Sequence, residues 1–265
     1  VYSRALESIS FHKFYLEIDL RKALEKGEFE LYYQPLVDIR SREVVGFEAL
    51  LRWNHPLKGM VSPLDFVPLA EESGIIKPIS EWVLRKACRD LKQMMKDSHQ
   101  SLQMGINISA SQFYDKYFVH GIKRVLEEED IPGHNIKLEI TESILLENNK
   151  ETVKVLKELR ELGIQVYIDD FGTGYSSLSY LKRFPVSGVK IDKSFTVNSL
   201  SNDEDKEIVK AIIHLAHALR LTVTAEGVET KEQLQLLEEY QCDYFQGYLL
   251  SKPQPMEELR GVLLA

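Results

Sequence analysis

The chain is poor in cysteine. It has two, Cys88 and Cys242, far apart and neither in a CxxC pair. That argues against a disulfide framework and a zinc site and leaves two reduced thiols. Long apolar runs are missing too. No stretch reaches the 18 residues of a membrane-spanning helix, and the opening VYSRALESIS lacks the apolar centre of a signal peptide. Positive charge is in deficit: 33 Lys plus Arg against 41 Asp plus Glu give a net charge of −8. This argues against DNA or RNA duplex binding, which runs on Lys and Arg contacts to phosphate. No GxGxxG follows an apolar run, so a dinucleotide-binding fold lacks its fingerprint. The expected location is cytoplasmic. An initiator methionine is also missing, and the chain is expected to be the C-terminal part of a longer protein, whose upstream segments could be sensory or membrane-anchored.

What is present suits one large α/β domain. The 265 residues are 44% hydrophobic and 28% charged, enough to bury roughly three quarters of the unfolded surface without a disulfide or metal staple. Leu16, Leu20 and Leu24 recur at helical spacing, and Gly27 stands where a helix would stop. Residues 1–19 are therefore expected to be a lead-in from an upstream domain and residues 20–265 the domain itself. Eight β-rich runs follow: ELYYQ at 30–34, VVGFEAL at 44–50, MGINI at 104–108, IKLEI at 136–140, QVYID at 165–169, GVKI at 188–191, TVTAE at 222–226 and YFQG at 244–247. Helical patterns lie between them, over 64–72, 79–96, 118–129, 150–162, 176–183, 204–219 and 231–240. Gly163 closes the fourth of these. Eight alternating units with no linker predict a closed (β/α)8 barrel rather than an open sheet.

In such a barrel the chemistry sits at the C-terminal ends of the strands. The polar residues closing the eight runs are Gln34, Glu48, Asn107, Glu139, Asp169 with Asp170, Lys190, Glu226 and Gln246. Each has a plain alternative. Glu139, Glu226 or Asn107 alone could cap a helix or turn, Asp169-Asp170 could be a turn, and Lys190 a solvated lysine. Jointly they place five carboxylates, three amides and an ammonium at one mouth. Carboxylates that close together cannot all ionise without a cation. Oxygen ligands suit Mg²⁺ or Mn²⁺, not Zn²⁺. The doubled Asp could serve two metals, and Lys190 could orient a water or stabilise charge on phosphorus. Asp170-Phe171-Gly172 is no kinase motif, since no HRD or VAIK accompanies it. Gly172-Thr173-Gly174 lacks the Lys-Ser/Thr of a phosphate loop. His214 and His217 share a helix face and read as structural.

These runs contain motifs that resemble a known family. GFEALLRW with Glu48-Ala49-Leu50, YYQP at 32–35, INIS at 106–109, LEITES at 138–143, DDFGTGYSSL at 169–178, VKID at 189–192, AEGVET at 225–230 and QGYLLSKP at 246–253 stand in the order of the EAL domain, the bacterial cyclic-di-GMP phosphodiesterase. The resemblance implies a modified (β/α)8 barrel whose first strand runs antiparallel to the rest. It implies hydrolysis of cyclic di-GMP to linear pGpG with two Mg²⁺ or Mn²⁺ ions, and inhibition by Ca²⁺. Glu48, Asn107, Glu139 and Asp169 resemble the ligands of one metal. Asp169 would bridge to a second, with Asp170 and Glu226. Glu226 is also a general-base candidate, and Lys190 resembles the lysine that positions water. Gln34, Arg52 and Gln246 resemble substrate contacts, and Glu142 and Glu229 acids that hold the Asp-Asp loop. The loop after Asp170 resembles one linking homodimerisation to metal binding. An upstream sensory or GGDEF domain is expected; no GGDEF run lies in this chain, nor any His-Asp pair of the other known route to the reaction. The rival readings are a non-catalytic cyclic-di-GMP receptor and a barrel hydrolase of another phosphodiester.

Overall fold

The fold is seen in a computed structural model that describes residues 15–147, 149–174, 181–259 and 261. Residues 15–23 are helical and bury Leu16, Leu20 and Ala23. The chain leaves this helix through Gly27, whose φ of 66° suits a residue without Cβ. Ten strands then form one sheet: β1 (Phe29–Asp38), β2 (Val44–His55), β3 (Gly59–Val61), β4 (Gln103–Ile108), β5 (Ile136–Thr141), β6 (Gln165–Phe171), β7 (Gly188–Ile191), β8 (Thr222–Ala225), β9 (Tyr244–Phe245) and β10 (Gln254–Pro255). Their order is β10-β1-β9-β8-β7-β6-β5-β4-β2-β3, and β1 also pairs with β2. That last pairing closes an eight-stranded barrel, with β3 and β10 as outriggers.

Strand β1 is antiparallel to both barrel neighbours, β2 and β9, while every other barrel pairing is parallel. The reversal expected from the family resemblance is present. Its local cause is the short connection between Asp38 and Val44, where the Asp38 carboxylate accepts from the backbone N–H of Arg40 and Ser41. So short a turn makes a hairpin and cannot make the crossover that parallel strands need.

Helices cover the outside. The longest, Ile76–Ser98, turns Val83, Leu84, Ala87, Leu91 and Met94 onto the barrel. Helices Phe118–Glu129, Asn149–Glu161, Asp203–Ala218 and Lys231–Glu239 follow the expected patterns to within a residue. The expected helix at 176–183 falls largely outside the described residues. Three short helices, Ala110–Phe113, Glu142–Glu147 and Lys193–Asn198, sit directly after strands at the mouth. His217 does not turn to a metal: its Nε2 lies 2.9 Å from Asp243 Oδ2 and ties its helix to the approach to β9. Among the described residues no helix is long and apolar enough to cross a membrane.

Candidate active site

The barrel mouth gathers the predicted residues around one ammonium. Lys190 Nζ lies 2.5 Å from Glu139 Oε2, 2.7 Å from Glu226 Oε1, and 3.2 Å from both Glu48 Oε2 and Asp169 Oδ1. Four strands supply these groups: β2, β5, β6 and β7; Glu226 directly follows β8. Register explains the convergence. Glu48 pairs with Gly105, which pairs with Lys137, and Asn107 pairs with Glu139, which pairs with Tyr167. Laterally paired residues share a face, and here it is the inner one. Gly105 is needed at its place. A Cβ there would stand 2.4 Å from Glu139 Oε1 and push the carboxylate out of the ring.

Amides fix the ring. Asn107 Nδ2 donates to Glu48 Oε1 at 2.7 Å. Gln246 Nε2 donates to Glu48 Oε2 at 2.7 Å and to Gln34 Oε1 at 2.8 Å. Gln34 reaches this level because the antiparallel register sets it opposite Glu48. It does not close its strand as the sequence pattern suggests, since β1 continues to Asp38. Glu48 likewise lies within β2, which runs on past the mouth to His55. That extension carries Arg52 above the ring on the same face. Its guanidinium stacks 5.4 Å from the Tyr32 ring centre and donates to Leu51 O at 2.9 Å.

Asp169 and Asp170 sit in a register break of the β6–β7 ladder, between Ile168 and Phe171. Such bulges re-aim side chains at barrel rims. Asp170 adopts φ 52°, and the break lets two successive carboxylates face the mouth. Oxygens of Asp169, Asp170 and Glu226 lie within 4.8 Å of one another. Glu142 is buried beside Gly174, and among the described residues neither of its oxygens has a hydrogen-bond partner. Glu229 is exposed at the rim of a cleft of about 390 Å³ that also includes Arg52, Asp169, Lys193 and Tyr248. The loop expected to link dimerisation to the metals continues into 175–180, outside the described residues.

Electrostatics follow from burial. Desolvation would raise the Glu48 carboxyl, but Lys190 and the Gln246 and Asn107 amides outweigh it and hold it below the usual range. Burial and the repulsion of Glu48 push Glu139 well up, against the pull of Lys190. Burial, partly opposed by Lys190 and reinforced by Asp169, raises Glu226 to about 7. Burial and Asp169 raise Asp170 to about 6. Burial disfavours the charged Lys190, yet the surrounding carboxylates raise it well above an ordinary lysine.

This environment fits divalent cations. The donors are hard oxygens, carboxylates outnumber the ammonium, and the buried Asp169 Oδ1 accepts no hydrogen bond even though Lys190 Nζ is near. Glu48, Asn107, Glu139 and Asp169 could hold one ion, and Asp169, Asp170 and Glu226 another. Sequence reasoning missed Gly105, Lys193 and Tyr248, which bear on the ring and cleft. A glycine flanked by β-forming residues and two positions before Asn107 was the one available signal.

Comparison with known proteins gives the family. The chain matches the EAL domain over residues 17–253 and belongs to that family. It is 42% identical over 264 residues to the cyclic di-GMP phosphodiesterase NbdA of Pseudomonas aeruginosa, covering 100% of this chain and 34% of NbdA. It is 38% identical over 260 residues to the oxygen sensor protein DosP of Escherichia coli, covering 98% of this chain and 32% of DosP. The chain thus spans about a third of the length of these relatives. Among solved structures, the PaMucR phosphodiesterase in complex with c-di-GMP superposes with a TM-score of 0.89 at 41% identity, covering 92% of this chain and 99% of that one.

Proposed function

We propose that the chain hydrolyses cyclic di-GMP to linear pGpG. The observation that carries this reading is the ring of Glu48, Glu139, Asp169 and Glu226 about one ammonium, at the mouth of an EAL-family barrel. Two Mg²⁺ or Mn²⁺ ions, held by the two ligand groups above, would supply the charge that activates water and stabilises the attacking and leaving oxygens. The chain's own residues do the rest. Arg52 binds a phosphate, where its forked donors match two oxygens. Gln34 and Gln246 contact the nucleotide from the floor of the cleft. Lys190 orients the attacking water and offsets charge building on phosphorus. Glu226, whose Oε1 lies 2.7 Å from Lys190 Nζ, takes the water's proton or serves as a cation ligand. Water adds across one P–O bond, the sugar oxygen leaves with a proton, and the ring opens. Ca²⁺ should inhibit, because its looser coordination tolerates misplaced oxygens.

The protein is expected to work as a homodimer through the loop after Asp170 and the helices beside it. A Cβ at Gly172 would stand 3.0 Å from Phe195 and 3.2 Å from Ile212, and the same region exposes Val197, Leu200 and Ile208. Residues 1–19 would lead in from an upstream sensory or GGDEF domain. The sensor relative DosP, three times as long, supports this. Turnover of cyclic di-GMP by the wild type and Glu48→Ala tests the reaction. Loss of cleavage in the variant supports it. Binding without cleavage, alike in both proteins, would make the chain a receptor instead.

A further inference from the structure

Beneath the carboxylate ring the barrel holds a second buried cation that the proposed reaction does not use. Lys137 precedes Glu139 by two residues on β5, so its side chain shares the inner face one pleat deeper. It is 3% exposed, and among the described residues its Nζ has no hydrogen-bond partner. The ammonium instead lies 4.7 Å from the Tyr167 ring centre and 4.8 Å from that of Tyr244. This cage is built. Tyr167 Oη is 2.7 Å from Thr222 Oγ1, and a Cβ at residue 188 would stand 2.4 Å from Tyr167 Cε1, so Gly188 makes room for the ring. Above the cage a cavity of about 10 Å³, the size of one water, borders Lys137, Glu139, Lys190, Glu48 and Gln246. The cavity touches the cage at Lys137 and Tyr167 and the ring at Glu48, Glu139 and Lys190.

Aromatic faces attract a cation but carry no net charge, so the charge opposing Lys137 is the Glu139 carboxylate of the ring itself. A leucine or methionine would fill this space without the cost of burying an ammonium. Inside the barrel, far from bulk water, that charge acts on any cation bound in the ring above it.

We propose that Lys137 is a positioning residue that sets how tightly the carboxylate ring holds divalent cations, by repelling them from the barrel floor. Cations then bind weakly until the anionic phosphate of a substrate joins them. This rests on the reading of the ring as a divalent-cation site, and on no assumption about which nucleotide is cut.

The test is Mn²⁺ titration of the purified chain at neutral pH without nucleotide, following the free-ion resonance signal, for wild type, Lys137→Met, Lys137→Gln and Lys137→Arg. The neutral variants should bind Mn²⁺ at least about fivefold more tightly, and Lys137→Arg should stay within about twofold of wild type, whatever its melting temperature. Folded neutral variants with unchanged or weaker Mn²⁺ binding would overturn the proposal. So would failure of both neutral variants to fold while Lys137→Arg folds, which would make the ammonium a structural requirement. A wild-type chain that binds no Mn²⁺ would instead overturn the reading of the ring itself.

Discussion

Replacing Lys190 by methionine removes the ammonium that four carboxylates share at 2.5 to 3.2 Å. Glu48, Glu139 and Lys190 are buried, so water cannot take its place. Removing one partner from a buried ion pair costs about 3–5 kcal/mol. Here part of that cost is relieved by protonation, because Glu139 and Glu226 already titrate high. The lower end, about 3 kcal/mol at pH 8, is therefore expected without metal. For a domain of this size that lowers the melting temperature by roughly 6–12 °C. The pH dependence has a definite sign. Glu226 keeps its proton to about pH 7 in the fold and to about 4.5 unfolded, so metal-free stability falls as pH rises through that window. Without Lys190 the window moves up, and the variant should come closest to wild type near pH 5. A divalent cation can stand where the ammonium stood. At a hundred times its Kd, Mn²⁺ should return about 2.7 kcal/mol. Thermal unfolding by circular dichroism at pH 5 and pH 8, with and without Mn²⁺, measures all of this. A loss below about 2 °C at pH 8, or a variant that Mn²⁺ does not stabilise, would refute the reasoning.

Asp169→Asn should abolish metal-dependent turnover, because the residue contributes to both ligand groups; wild-type rate in this variant would remove its bridging role. Lys190→Ala should lower kcat without weakening Mn²⁺ binding, a split that steady-state kinetics beside metal titration would show. Arg52→Ala should raise KM for cyclic di-GMP by roughly tenfold or more, and Arg52→Lys should recover little of it, since an ammonium lacks the forked geometry; full recovery by lysine would deny a two-point phosphate contact. Mn²⁺ binding should release at least about one proton per chain at pH 6 from Glu226 and Asp170, whose pKa values are about 7 and 6, and their share should vanish by pH 8; release measured in weak buffer that did not change with pH would show that these carboxyls are not ligands.

Much of this site is legible in the sequence because a parallel barrel converts strand order into proximity. Asn107, Glu139, Asp169 and Lys190 lie at or near the ends of runs with clear β patterning, and the fold brings those ends to one mouth. Gln34 shows the limit. The pattern marks it correctly, but for a reason the structure replaces: its strand runs backwards, and cross-strand register, not a strand end, sets it beside Glu48. Apolar alternation reads the same in both directions, so strand direction followed only from the family resemblance. The short helices after β4, β5 and β7 were missed because four to six residues are too few to show a 3.6-residue period. Lys137 was invisible for another reason. Its spacing of two from Glu139 gives the face, but not the depth in the barrel or the two tyrosine rings that close on it, which come from other strands.

The central claim is that this barrel cuts cyclic di-GMP with divalent cations held by its carboxylate ring. The most direct test is turnover by the purified chain with Mg²⁺, Mn²⁺ or Ca²⁺ side by side, with the product identified by mass. Linear pGpG is expected with Mg²⁺ and Mn²⁺ and none with Ca²⁺ or after chelation. Cleavage that survives chelation, or intact cyclic di-GMP recovered after tight binding with Mg²⁺ and Mn²⁺, would contradict it.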